Sequence, residues 1–296
     1  MLVTAHPPRI TVMSMNISHG ALRTAAGGAD DRWDPMASLV RDLAPDVLAL
    51  QETSGWGDHN RQQSTRAEES TGLRVIWPAP GHDTLIMYNP DTVGATQWED
   101  RYTLTRGEPG FSGIGVFTVP GLVSPLSIAS VHLAPDSADL ARIQASRLAW
   151  RCRRYLGPCG EGENGVIIGD LNQPPGEHPL DPQVPTPDTL PAANLTGRWR
   201  GSSRNMSPDR SVAELLERSR WTDAAHVIAD RDGRTDVLAA TGRGGWRVDQ
   251  AWVTEGLVPA IVDLQPLNVP GSDHKGLLLV MDPGLIDPSL VTVPNR

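Results

Sequence analysis

The stretch VIIGDLN, residues 166–172, decides how the rest of the chain is read. Its apolar residues predict a buried strand over 165–168, and Gly169 permits close approach of another segment. Asp170 and Asn172, an acid and an amide two positions apart, point the same way if the strand continues. Working outward in both directions, the same arrangement recurs. ITVMSMN ends at Asn16, VLALQE at Glu52, LSIASVH at His132, and VPGSDH at Asp273 and His274, while Asp249 opens the run in WRVDQAWV. Polar groups just beyond buried strands are held by a rigid scaffold yet remain open to solvent, as a site at one sheet edge requires. Taken singly, Asn16 also reads as a turn residue and Asp170 as the cap of its own loop. Glu52 resists that reading, because a carboxylate closing so apolar a run is costly without a partner.

Strands are predicted at 10–15, 47–51, 85–88, 115–119, 126–131, 165–168, 248–253 and 276–280. Helices are predicted at 35–43, 137–156 and 211–219, the middle one with Asp136 or Ser137 as cap. The least regular stretch is 173–208, rich in proline and read as a long loop. No repeat or polar linker divides the chain, so residues 1–281 are expected to form one layered α/β domain, with 282–296 a loosely held extension.

The chain has 296 residues, with 26 Lys+Arg against 35 Asp+Glu and a net charge of −9. That balance argues against whole-surface affinity for nucleic acid or anionic membrane. An anionic substrate then calls for a bound divalent cation or a local group of arginines, since Lys275 is the only lysine. Two cysteines, Cys152 and Cys159, read as free thiols in a reducing compartment. With neither a secretory leader nor an apolar run long enough to span a bilayer, a cytoplasmic protein without an obligate protein partner is expected.

These residue types suit phosphoryl transfer assisted by a hard cation. Magnesium or manganese prefers oxygen ligands and leaves positions for water and phosphate; Glu52 is the first choice of ligand. Asn16 and Asn172 can donate to phosphate oxygens without adding negative charge. His132 and His274 supply imidazoles for proton transfer or for binding developing charge, and Asp249 suits the orientation of one of them. Arg198 and Arg204 in the long loop, and Arg106 in TRGEPGFSG, are candidate phosphate contacts.

In order along the chain, SMNISHG, PDVLALQE, SVHLAP, VIIGDLN, WRVDQAWV and GSDHKGL resemble the six motifs of the endonuclease/exonuclease/phosphatase superfamily, the deoxyribonuclease I-like fold. The resemblance implies a four-layer α/β/β/α sandwich, two mixed sheets face to face with helices outside and a metal site at one end. It implies that Glu52 binds Mg2+ or Mn2+, with Asn16 and Asp273 near the same ion. Asp170 and Asn172 would align the nucleophilic water and the phosphate, and His274, oriented by Asp249, would contact the phosphate or take the water's proton; the resemblance leaves either Asp170 or His274 as the base. His132 would act on the leaving-group side; in some members an earlier glutamate supports this histidine, and the nearest equivalents here are Asp83 and His82. The expected activity is a metal-dependent phosphodiesterase, first of all a DNA endonuclease or exonuclease. A phosphatase or phosphodiesterase on a small-molecule or lipid phosphate is the second reading, and an inactive binding module on the same fold the third.

Overall fold

The computed structural model describes residues 9–57, 59–76, 83–99, 111–122, 124–153, 164–181, 185–190, 192–202, 204–287 and 289–290. Two six-stranded mixed sheets form its centre. The first runs β13 (Ile261–Asn268), β14 (Lys275–Met281), β1 (Ile10–Asn16), β2 (Val47–Gln51), β4 (Thr84–Tyr88), β3 (Arg74–Ile76). The second runs β11 (Trp221–Asp223), β12 (Asp249–Thr254), β8 (Asn164–Asp170), β7 (Leu126–His132), β6 (Ser112–Thr118), β5 (Gly94–Glu99). The plans match: a central parallel pair, β1 with β2 and β8 with β7, is flanked by antiparallel strands.

Strand alternation explains why the central runs are apolar at almost every position. Val12, Ala49, Ile86 and Leu279 of the first sheet meet Phe117, Ile128, Val166 and Ile168 of the second in the inter-sheet core. Their neighbours point outward: Met13, Met15, Leu48 and Leu50 pack under Trp33, Met36 and Val40 of α1 (Trp33–Leu43) and Ala67 of α2 (Gln62–Thr71). On the opposite side Val131, Ile167 and Trp252 pack under Ala141, Ala145 and Leu148 of α3 (Ala138–Cys152) and Leu216 of α5 (Ser211–Arg218). A strand covered on both faces has no position left for a solvent-facing residue except at its end. The four-layer sandwich is thus present, and α3 starts at an N-cap, Ser137, whose hydroxyl accepts from the Leu140 amide at 3.2 Å.

The structure corrects one reading. The 173–208 stretch is not a plain loop: it contains α4 (Ala192–Arg198) and a hairpin of β9 (Trp199–Ser202) with β10 (Asn205–Pro208). Gly201 sits at φ 99°, and a Cβ there would lie 2.1 Å from the Asn205 carbonyl, so the hairpin depends on glycine at that position. Strands this short and exposed have no burial alternation to reveal them in sequence.

The first part of that stretch folds back onto α6 (Ala224–Asp232), where His178 stacks on His226 with ring centroids 4.6 Å apart. His178 Nε2 lies 3.0 Å from Asp230 Oδ1. Beneath the stack a buried Arg247 pairs with Asp223 at 2.8 Å and donates toward His226 Nε2 at 3.1 Å. Past Met281, a turn at Pro283–Leu285 follows, and the Asp287 amide bonds to the Gly256 carbonyl. Cys152 is buried, its sulfur 3.3 Å from the Ser127 hydroxyl; Cys159 lies outside the described residues. Among the described residues no helix is long and apolar enough to cross a membrane.

Candidate active site

Strand register builds the centre of the site. His132 ends β7, Asp170 ends β8 and Asp249 begins β12, and the three are direct register partners across adjacent strands. They therefore form one row on one face of the second sheet. Gly169 makes the row possible: at φ 143° it holds a conformation side chains rarely adopt, and a Cβ would lie 2.4 Å from the Val131 carbonyl.

The first sheet supplies the facing groups. Asn16, fully buried at the end of β1, donates from Nδ2 to Glu52 Oε1 and to Asp170 Oδ2, both at 3.0 Å. Glu52 follows β2 in a left-handed conformation, φ 58°, and its second oxygen accepts the His19 amide at 2.7 Å. Asp83, just before β4, meets His132 Nδ1 at 2.8 Å, and Asp249 Oδ2 meets His274 Nδ1 at 2.9 Å. His132 Nε2 and His274 Nδ1 then lie 3.7 and 3.8 Å from the same Asp170 oxygen. Asp83 rather than His82 is the partner of His132; His82 lies outside the described residues.

Burial and charge set the protonation. Burial alone would lower the pKa of His132, but the Asp83 hydrogen bond and the charges of Asp170, Asp83 and Glu52 outweigh it and raise it to about 9. His274 likewise rises to about 9 against its burial, through Asp249 first and then Asp170 and Asp273. Asp170 is pushed up by burial and by the Asp249 charge, against the pull of both imidazoles. Asp273 is held below the usual range: its own amide, His274 and Arg243 outweigh the effect of burial, and Arg243 Nε lies 2.9 Å from it.

The remaining expected residues fall in different places. Asn172, at φ 54°, donates its amide N–H to Asp170 Oδ1 and its side-chain amide to the Leu133 carbonyl. Arg198, at the end of α4, donates from Nε to the Asn172 carbonyl at 2.8 Å and from Nη2 to Asn172 Oδ1 at 2.9 Å. It thus clamps Asn172, two residues beyond Asp170; burial lowers its pKa while Asp170 and Asp249 oppose the shift. Arg204 is exposed at the hairpin turn, and Arg106 lies outside the described residues. Two contributors stand inside the quoted motifs but were not singled out in them. His19, in SMNISHG, reaches Glu52, and Ser272, in GSDHKGL, donates to the Asn16 carbonyl while accepting the His274 amide.

The donor set fits a hard divalent cation. Glu52 and Asp170 offer carboxylate oxygens on either side of one Asn16 amide, and Asp170, Asp249 and His274 present ligand atoms within 4.8 Å of one another. A buried carboxylate such as Asp170, pushed up by burial and by the charge of Asp249, is one that a cation relieves.

A family model described as Endonuclease/Exonuclease/phosphatase family matches residues 13–274, and the chain belongs to that family. Its members are hydrolases acting on phosphoesters. Among solved structures the chain is similar to an AP endonuclease from Archaeoglobus fulgidus (15% identity, 92% of this chain and 99% of the other, TM-score 0.62). It is also similar to the 3' phosphatase NExo from Neisseria bound to product DNA hairpin (15% identity, 92% and 99%, TM-score 0.60). The human Nocturnin catalytic domain with bound sulfate anion shows the same likeness (15% identity, 92% and 93%, TM-score 0.56). Among curated proteins, none matches the sequence.

Proposed function

We propose that the chain is a divalent-metal-dependent phosphodiesterase whose substrate is the DNA backbone. The observation that carries the reading is the single oxygen of Asp170 shared by Asn16, His132 and His274, each of the last two paired to its own carboxylate. Glu52, with Asn16 and Asp273 beside it, would hold Mg2+ or Mn2+. When bound, the ion supplies polarisation of the phosphoryl group and neutralises developing negative charge. Asp170, whose affinity for protons is raised, aligns the attacking water and accepts its proton. His274, kept protonated through Nδ1 by Asp249, turns its other nitrogen to the phosphate and stabilises the charge that builds there. His132, fixed by Asp83, delivers a proton from Nε2 to the leaving oxygen. Asn172, held by Arg198, keeps the Asp170 loop in register.

Two of the similar structures are an AP endonuclease and a phosphatase bound to DNA, which supports nucleic acid as the substrate class. The net charge of −9 favours the second reading, a phosphatase on a soluble small molecule. Supercoiled plasmid, incubated with Mg2+ or Mn2+, should be nicked, and the nicking should stop with chelator and return when metal is restored. Phosphate release from mononucleotides with intact plasmid would select the second reading. A folded protein with no turnover on any phosphate ester would defeat both.

A further inference from the structure

Beside His132 lies a pocket of about 170 Å3 that the phosphate-handling residues do not use. Phe111, Leu133 and Leu140 give it apolar walls, His132 and Asp83 line it, and Asp136 stands exposed at the start of the turn before α3. Sites that take a whole drug-sized molecule enclose roughly 300–1,000 Å3, so this volume suits a single ring system.

Two properties narrow its occupant. The described residues lining it include two carboxylates, Asp83 and Asp136, and no lysine or arginine. Among the described lining residues, a phosphate placed there would meet two carboxylates against the one imidazolium of His132, a net negative wall. Asp83 bonds His132 through Oδ2, while its Oδ1 is buried without a hydrogen-bond partner. That oxygen is sealed from the pocket, so the occupant's recognition falls to the apolar walls and to the charge of the lining.

We propose that this pocket binds the leaving-group end of the substrate and takes one ring, the base or the sugar, of a nucleoside that carries no further phosphate. The inference rests on the phosphodiesterase reading and narrows it: terminal or small diesters turn over faster than the internal bonds of a plasmid, which is still nicked but at a lower rate. Water adds its oxygen to phosphorus, the bond from phosphorus to the nucleoside oxygen breaks, and the water's proton passes to Asp170. The departing oxygen takes a proton from His132 Nε2 and leaves as a neutral alcohol inside the pocket.

The full chain with Mn2+ should be assayed on the dinucleoside monophosphate d(TpT), on its 5'- and 3'-phosphorylated forms, and on supercoiled plasmid. One of the phosphorylated forms places the extra phosphate on the leaving nucleoside, and its kcat/KM should fall at least about tenfold below that of d(TpT). Leu140→Trp fills the pocket and should raise KM for d(TpT) about tenfold, lowering kcat less. Asp136→Lys, a surface change independent of packing, should narrow the discrimination against the phosphorylated leaving group about threefold, the more so at low salt. Equal turnover of all three small substrates, or plasmid nicking without d(TpT) cleavage, overturns this inference and leaves the phosphodiesterase intact. An unmoved KM in a folded Leu140→Trp variant overturns it as well. No turnover of any ester overturns the phosphodiesterase reading itself.

Discussion

His132 and His274 at the catalytic end, and His226 against α6's neighbours, are buried imidazoles with a carboxylate in reach, yet their proton affinities move in opposite directions. At the catalytic end each ring nitrogen faces its own acid, Asp83 or Asp249, and both values rise to about 9. Around His226, burial lowers the pKa; Asp223, 3.7 Å away, opposes this, but its charge is already taken by Arg247, which adds its own repulsion. The lesson is that a nearby acid does not charge a histidine if a guanidinium reaches that acid first. On the proposed function, one region stores protons for chemistry, and the other fastens the 173–181 segment to the body.

The sharpest way to break this contrast is Asp170→Asn. If the catalytic end works as described, turnover should drop about 10³-fold or more while the thermal midpoint stays or rises, since a buried acid with raised proton affinity is removed. Arg247→Met strikes the other region and should do the reverse. It leaves Asp223 charged and buried without its partner, a loss of about 3–5 kcal/mol by denaturant titration, with kcat per folded molecule nearly kept. Arg198→Met tests the link between them, because it frees Asn172 and removes a positive charge near Asp170 and Asp249 while leaving every side chain of that row in place. kcat should fall about tenfold to a hundredfold, and Arg198→Lys should not restore it, as an ammonium cannot make both bonds of the fork.

The smallest effect lies in the acid limb of stability. His226 binds its proton less readily folded than unfolded, so the unfolded chain takes up more protons as pH falls below about 6.5. Its contribution is complete above that value and declines below it. Asp223, held low by Arg247 against its burial, loses its contribution later, as pH falls through its depressed folded value. His226→Phe, which keeps a ring against His178, should shift the acid-unfolding midpoint downward by less than about one pH unit. An unchanged midpoint by circular dichroism would show that His226 does not couple to folding.

The central strands and their polar ends were legible because burial on both faces leaves so little freedom. The run VIIGDLN becomes β8 with Asp170 at its tip, and VLALQE becomes β2 followed by Glu52. The edges were not: β3, β5, β11 and β13 do not figure among the expected strands, and in β13 alternation is broken by a register shift near Ile261. Nor was the role of Arg198. Sequence presented it as a phosphate contact in a basic loop, and only the turn of α4 brings it onto Asn172. The partner of His132 was open to two readings until the position of Asp83, directly before β4, put its carboxylate on the ring.

Three pairs in the site join the two halves of the sandwich: Asn16 with Asp170, Asp83 with His132, His274 with Asp249. Catalysis is thereby made a gauge of alignment between the halves. A sliding of one half over the other by little more than an ångström would uncouple all three handshakes together, while leaving each half internally paired. Heat or pressure should silence the enzyme before it melts.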